Sequence, residues 1–188
     1  MSHDNYQISI LKRKSQLDNV LRLTHDSLVE IGAINPAPSG MFNFAPHLDE
    51  TEDTTVLIAE KDGEIIGTSS ITIDGKAGLI SDHLFERETN RMREKSSSPI
   101  SSAWRFATKK EYRNNKKLAV DLMTKTREVL RESNSELCLC LFQEKHVRFY
   151  QKFFNGEVVA KKIGTADGSD YANFVLMAIA INDVRSKV

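Results

Sequence analysis

Ala103–Met123, A-W-R-F-A-T-K-K-E-Y-R-N-N-K-K-L-A-V-D-L-M, is the stretch on which the fold turns. An apolar strand runs to Thr108. A basic loop carrying Lys109, Lys110, Arg113, Lys116 and Lys117 follows, and a helix opens at its end. A loop that feeds a helix N-terminus presents unpaired backbone N–H groups and the positive end of the helix dipole, which suit a phosphate. The five bases oppose only Glu111, and no glycine interrupts them. Two readings stay open on composition alone: a diphosphate or phosphopantetheine seat, and a basic but solvated loop.

Working outward, the helix from about Asn115 to Ser133 puts Leu118, Leu122 and Val129 on one side. Glu136–Phe142 reads as a buried strand, Glu144–Phe154 as a helix, and Glu157–Ile163 and Tyr171–Ile181 as closing strands. Upstream, Tyr6–Lys12 predicts a first strand. Ser15 with Asp18 predicts a capping box opening a helix striped by Leu17, Val20, Leu21, Leu28 and Ile31. Ile34–Leu48 is turn-rich, with Pro36, Pro38, Gly40 and Pro46. Thr54–Glu60 and Glu64–Ile73 flank Lys61-Asp62-Gly63, a hairpin signal. A helix is expected at Asp82–Lys95, and a polar linker at Ser96–Ser102 before the strand Ala103–Thr108. The order predicts one α/β domain over residues 1–188, a mixed sheet with helices on its faces.

Lys+Arg and Asp+Glu balance at 26 each, so no global field points to nucleic acid or to a membrane. The polar start Met1–Tyr6 carries no signal-peptide pattern, and the longest apolar run, Phe174–Ile181, is too short to span a bilayer. A cytoplasmic location is expected. Cys138 and Cys140 lie two apart, so in a strand both face one way and read as reduced core thiols. The histidines show no ligand spacing, so no metal site is expected. In E-K-H-V-R-F-Y-Q-K-F-F, Val147, Tyr150 and Phe154 share a helical face; core packing and a phenol able to protonate a departing thiolate are both compatible with that spacing. Glu86 and Glu88 read either as amine contacts or as surface partners of Arg91 and Arg93.

These motifs resemble those of the GNAT-fold acyltransferases. E-Y-R-N-N-K-K-L-A-V-D-L-M is similar to the family's R-x-x-G-x-G/A loop and helix, and H-V-R-F-Y-Q-K-F-F-N-G to its H-x-x-F-Y-x-x-x-G-F segment. Within the fold the chain resembles the N-acyl amino acid synthase branch, a neighbour of the acyl-homoserine-lactone synthases. Arg22–Ile34, Gly67–Arg93 and W-R-F-A-T at Trp104–Thr108 carry that likeness, with Arg105 on the family arginine. Thr24, Ser70 and Ser102 stand where the branch has charged residues, and Lys116 and Leu118 replace the two loop glycines.

The resemblance implies a mostly antiparallel twisted sheet of about seven strands with about four helices, splayed between the fourth and fifth strands. It implies N-acyl transfer from a phosphopantetheine thioester, on acyl carrier protein or long-chain acyl-CoA, to a primary amine such as an amino acid. The thioester is then a co-substrate, with no cofactor held permanently. Tyr150 is the expected acid and Glu88 a candidate base. The donor is expected against Arg105, Phe106, Ala107, Thr108, Lys109, Arg113, Asn114, Asn115, Lys116, Lys117 and Leu118. Lysines in place of glycines favour an acidic carrier protein over free CoA. An acetyl-CoA-dependent N-acetyltransferase and a non-catalytic GNAT-fold binding module stay open beside it.

Overall fold

A hairpin forms where the sequence predicts one. Strands β2 (Thr54–Lys61) and β3 (Glu64–Ile73) meet at Asp62 and Gly63, both in the left-handed region at φ 52° and 80°. Two successive positive φ values match the twist of the flanking strands and leave a two-residue turn. The computed structural model describes residues 5–12, 14–165 and 171–181. Its other strands are β1 (Gln7–Ile10), β4 (Ile100–Thr108), β5 (Leu137–Gln143), β6 (Glu157–Thr165) and β7 (Tyr171–Ala180). The helices are α1 (Leu17–Glu30), α2 (Pro46–Asp49), α3 (Asp82–Lys95), α4 (Lys116–Glu132) and α5 (Val147–Phe154).

The strands form one sheet ordered β1-β2-β3-β4-β5-β7-β6, antiparallel throughout except at β4–β5. One face buries Val56, Ile58, Ile100 and Leu139 under α1 and α3. The other buries Leu57, Ile71, Cys138, Cys140 and Met177 under α4 and α5. Leu118 and Leu122 of α4 are fully buried against Ala59 and Ile66. Each such leucine contributes about 2 kcal/mol of transfer free energy, which holds the helix on the sheet and fixes its N-terminus in space.

The mixed, mostly antiparallel sheet and the split between its fourth and fifth strands match the sequence expectation. Three local expectations do not. Ser15 joins a 3-10 turn, Lys14–Gln16, and α1 begins after Gln16 with no side-chain cap, so the capping box is absent. β4 starts at Ile100, because Ser101 and Ser102 are buried strand residues and not linker. The Ser101 hydroxyl donates to the Leu137 carbonyl and accepts from Ser135. The turn-rich passage contains α2, whose Asp49 has a partner described below.

Candidate active site

The parallel pairing of β4 with β5 covers four residue pairs, from Ile100↔Leu137 to Ala103↔Cys140. Beyond Cys140, β5 continues against β7 alone, while β4 continues against β3. The two strands therefore part, and a wedge opens between them.

A bulge shapes the β4 wall of that wedge. The β3–β4 register passes from Ser70↔Trp104 to Thr68↔Ala107, so Arg105 and Phe106 together oppose Ser69. Arg105 sits at φ 53°, a conformation that costs a non-glycine residue of order 1–3 kcal/mol. The strained turn sends three neighbouring side chains where a regular strand cannot. Arg105 lies on the same side as Trp104, its guanidinium 4.2 Å from that ring and bonded to Asp49 and Asn43. Phe106 points the other way, into the wedge. The bulge takes the 105–106 backbone out of the ladder with β3, and the splay removes β5 from its other side.

On the α4–α5 face the wedge leads into an apolar pocket with about 80 Å³ of free volume. Phe106, Met123, Leu130, Cys140, Tyr150 and Phe154 help to line it, drawn from four separate elements. The Tyr150 ring stacks on Phe142 at 4.4 Å. Burial pushes its phenol well above the usual range, and the nearby sulfurs of Cys140 and Cys138 add to that push, so the hydroxyl stays protonated at neutral pH. Among the described residues no group accepts or donates a hydrogen bond at that hydroxyl. The Cys138 and Cys140 sulfurs are 3.9 Å apart, both thiols free and buried.

The basic loop differs from its reading in sequence. Lys109 pairs with Glu64, Lys110 and Arg113 with Glu30, and Lys117 with Asp121. Glu30 ends α1, Glu64 opens β3 and Asp121 is one turn along α4; folding brings all three to the loop and leaves little positive excess. Lys116, exposed at the first position of α4, has no ion pair among the described residues. Asn115 caps the helix, its side chain accepting from the Leu118 N–H at 3.1 Å. The N–H groups of Lys116 and Lys117 therefore remain as the open donors of the first turn. A 3-10 turn, Lys110–Tyr112, winds the loop, and Lys116 and Leu118, which stand in place of the two family glycines, fall in the first turn of α4.

Of the expected donor residues, Phe106 borders the pocket, and Lys116 and Lys117 present the helix N-terminus. Asn114 is exposed in the same loop. Ala107 packs against α1, the Thr108 carbonyl accepts from Ser27, and Leu118 is core. Arg105 is spent on Asp49, on the opposite side of the sheet from the pocket. Glu88 is not brought to the wedge either: it lies on α3 and pairs with Lys162 of β6 at 2.7 Å. That contact is the largest influence on its carboxyl and holds it below the usual range. Met123, Leu130, Cys138 and Cys140 were not singled out for the site. The only sequence signal for them is apolar spacing, which any core shares.

A second cleft, more open and charged, lies beside α3. Its Arg93 is held between Asp74 and Asp82, which makes it a clamp for the 74–82 loop. No helix is long and apolar enough to cross a membrane among the described residues. No group of His, Cys, Asp or Glu there has the makings of a metal site.

A bulged fourth strand and a wedge against a parallel fifth strand are joined here to a matching family model: that of the N-acyl amino acid synthase FeeM, over residues 19–180. The chain belongs to the FeeM N-acyl amino acid synthase family. It is an acyltransferase. Among solved structures, FeeM, an N-acyl amino acid synthase from uncultured soil microbes, superposes with a TM-score of 0.79 at 20% identity, over 98% of this chain and 95% of that one. The CoA-dependent acyl-homoserine lactone synthase BjaI follows at 0.71 and 16%, over 95% and 85%. The acyl-homoserine-lactone synthase LasI gives 0.70 and 13%, over 95% and 91%. No curated protein sequence matches the chain. At these identities the solved structures speak for the fold, and the family model for the acyltransferase assignment.

Proposed function

We propose that this member of the FeeM family moves an acyl group from a phosphopantetheine thioester to a primary amine, an amino acid being the favoured class. The observation that carries this reading is the apolar pocket at the end of the β4–β5 wedge. A thioester lying along the wedge puts its acyl chain among Phe106, Met123, Leu130 and Phe154, surroundings that suit a chain longer than acetyl.

The chemistry follows from the walls. The backbone at Phe106, freed by the bulge, supplies an N–H donor for the developing oxyanion, a type of stabilisation often worth the most in acyl transfer. Holding a reactive thioester beside the amine supplies much of the remaining rate. Tyr150, protonated and without a competing partner among the described residues, gives its proton to the departing pantetheine sulfur. The Lys116 and Lys117 N–H groups seat the pantetheine phosphate.

Acyl carrier protein and long-chain acyl-CoA both present such an arm. The paired cations of the basic loop leave Lys116 as the residue most open to an acidic carrier. Titration of acetyl-CoA, long-chain acyl-CoA and acylated carrier protein tests the reading. Affinity that rises with chain length on either carrier supports it. Saturable binding of acetyl-CoA with no gain for longer chains would refute it.

A further inference from the structure

Helix α5 turns an aromatic and basic face to solvent. Val147, Tyr150 and Phe154 pack on the sheet. Phe149 and Phe153 form the neighbouring stripe, one turn apart, their ring centroids 4.8 Å from each other and their exposures 39% and 50%. Arg148 and Lys152 stand beside them on the helix, and Lys145 precedes them in the 3-10 turn Glu144–His146. From Lys145 to Phe153 the chain carries these three bases and no acid. The adjoining Glu144 is paired with Lys161 of β6. Lys145, Arg148 and Lys152 have no ion pair among the described residues; the Lys152 ammonium lies 5.5 Å from the Phe153 ring. The even charge balance of the whole chain conceals this local excess.

Large apolar side chains grouped in water mark a contact surface. The bases beside them set its chemistry: the partner is anionic and also takes in aromatic rings. An anionic bilayer interface meets both demands, since rings enter the boundary between headgroups and acyl chains while Lys and Arg stems reach up to lipid phosphates. The place of the stripe points the same way. The Phe149 ring is 5.3 Å from that of Tyr150 and 6.1 Å from that of Phe154, and both of those line the apolar pocket. Aromatic contact thus continues from the pocket wall to the outer face of α5. Ile163, 69% exposed, follows Lys161 by two residues on β6 and so shares its side of the sheet, where Lys161 meets the foot of α5.

Resting on the acyl-transfer reading above, we propose that α5 docks the protein on an anionic lipid surface. Phe149 and Phe153 enter the headgroup boundary, and Lys145, Arg148 and Lys152 pair with lipid phosphates. Docking in this way sets the acyl pocket beside the bilayer, the phase into which a long-chain amide partitions. Attraction through three bases falls as salt is added, whereas the contribution of the rings does not.

The test is flotation of the native protein with vesicles of phosphatidylglycerol mixed with phosphatidylcholine, and with vesicles of phosphatidylcholine alone. The expected result is binding to the anionic vesicles, weakened by salt, and little to the neutral ones. Replacing the three bases together, Lys145→Gln, Arg148→Gln and Lys152→Gln, should lower the anionic affinity about 100-fold, each base near such a surface contributing about fivefold. Phe149→Ser with Phe153→Ser should lower it several-fold at every salt concentration. All three bases are exposed, so the glutamine variant should keep the native melting temperature. Equal binding to both kinds of vesicle, binding to neither, or a glutamine variant that binds as the native protein does would overturn the inference. A glutamine variant that loses affinity for acylated carrier protein, in a protein that ignores vesicles, would overturn it too and assign α5 to an acidic protein. Amide formed by protein that never floats would leave acyl transfer standing without the docking surface. Flotation by protein that forms no amide from any donor would uphold the surface and overturn the acyl-transfer reading.

Discussion

Arg105 and Asp49 form an ion pair out of reach of solvent: Nη2 lies 2.5 Å from Oδ2, and the side chains are 0% and 3% exposed. The pair ties the bulge of β4 to α2, and so fixes the β4 wall of the wedge. Removing one partner strands a buried charge. Arg105→Met or Asp49→Leu alone should cost about 3–5 kcal/mol, with the double variant recovering most of it. Urea unfolding of the three variants measures this. Equal losses in single and double variants would show that the charge pair is not what holds the bulge.

Tyr150→Phe removes a hydroxyl that bonds to none of the described residues, so the fold has little to lose. Turnover should fall about 100-fold while donor affinity and melting temperature hold. A variant that turns over at the native rate would take the proton-donor role away from Tyr150.

Lys116 is the loop cation without an ion pair among the described residues, and it stands beside the open N–H groups of α4. Lys116→Glu should weaken acylated carrier protein several-fold at low salt, with the gap closing as salt is added. Binding titrations at two ionic strengths decide it. A loss for carrier protein and acyl-CoA alike would place the lysine at the phosphate they share. No loss for either would remove it from the donor site.

Glu88 should prove to be structural. Glu88→Gln should keep native turnover and lose some stability at neutral pH. Its folded pKa lies below its unfolded value of about 4.3. The contact with Lys162 therefore adds stability above that value, and the gain disappears as pH falls through the folded pKa. Denaturant curves for native protein and variant should differ at pH near 7 and converge in acid. A marked fall in turnover would return Glu88 to the chemistry.

Much of the architecture was legible because it rests on local signals. Asp62-Gly63 requires a tight turn, and Lys116–Glu132 carries an apolar stripe at helical spacing. The strand–loop–helix junction fell where the sequence placed it. The rest depends on distance along the chain. Asp49 lies 56 residues from Arg105, and nothing local marks it as the partner of a buried arginine. Glu30, Glu64 and Asp121 neutralise the basic loop from three other elements, so a charge count over neighbours in sequence overstated its field. Ser101 and Ser102 have weak strand preference and entered β4 because their neighbours on β3 and β5 supply the ladder. The pocket was hidden for the same reason: its lining is assembled by packing.

Formation of an amide product is the most direct test of acyl transfer by this protein. Purified protein given long-chain acyl-CoA or acylated carrier protein, with a pool of amino acids, should yield the mass of an N-acyl amino acid, and less from acetyl-CoA. Failure to form any amide from every donor, in protein shown to be folded, would contradict it.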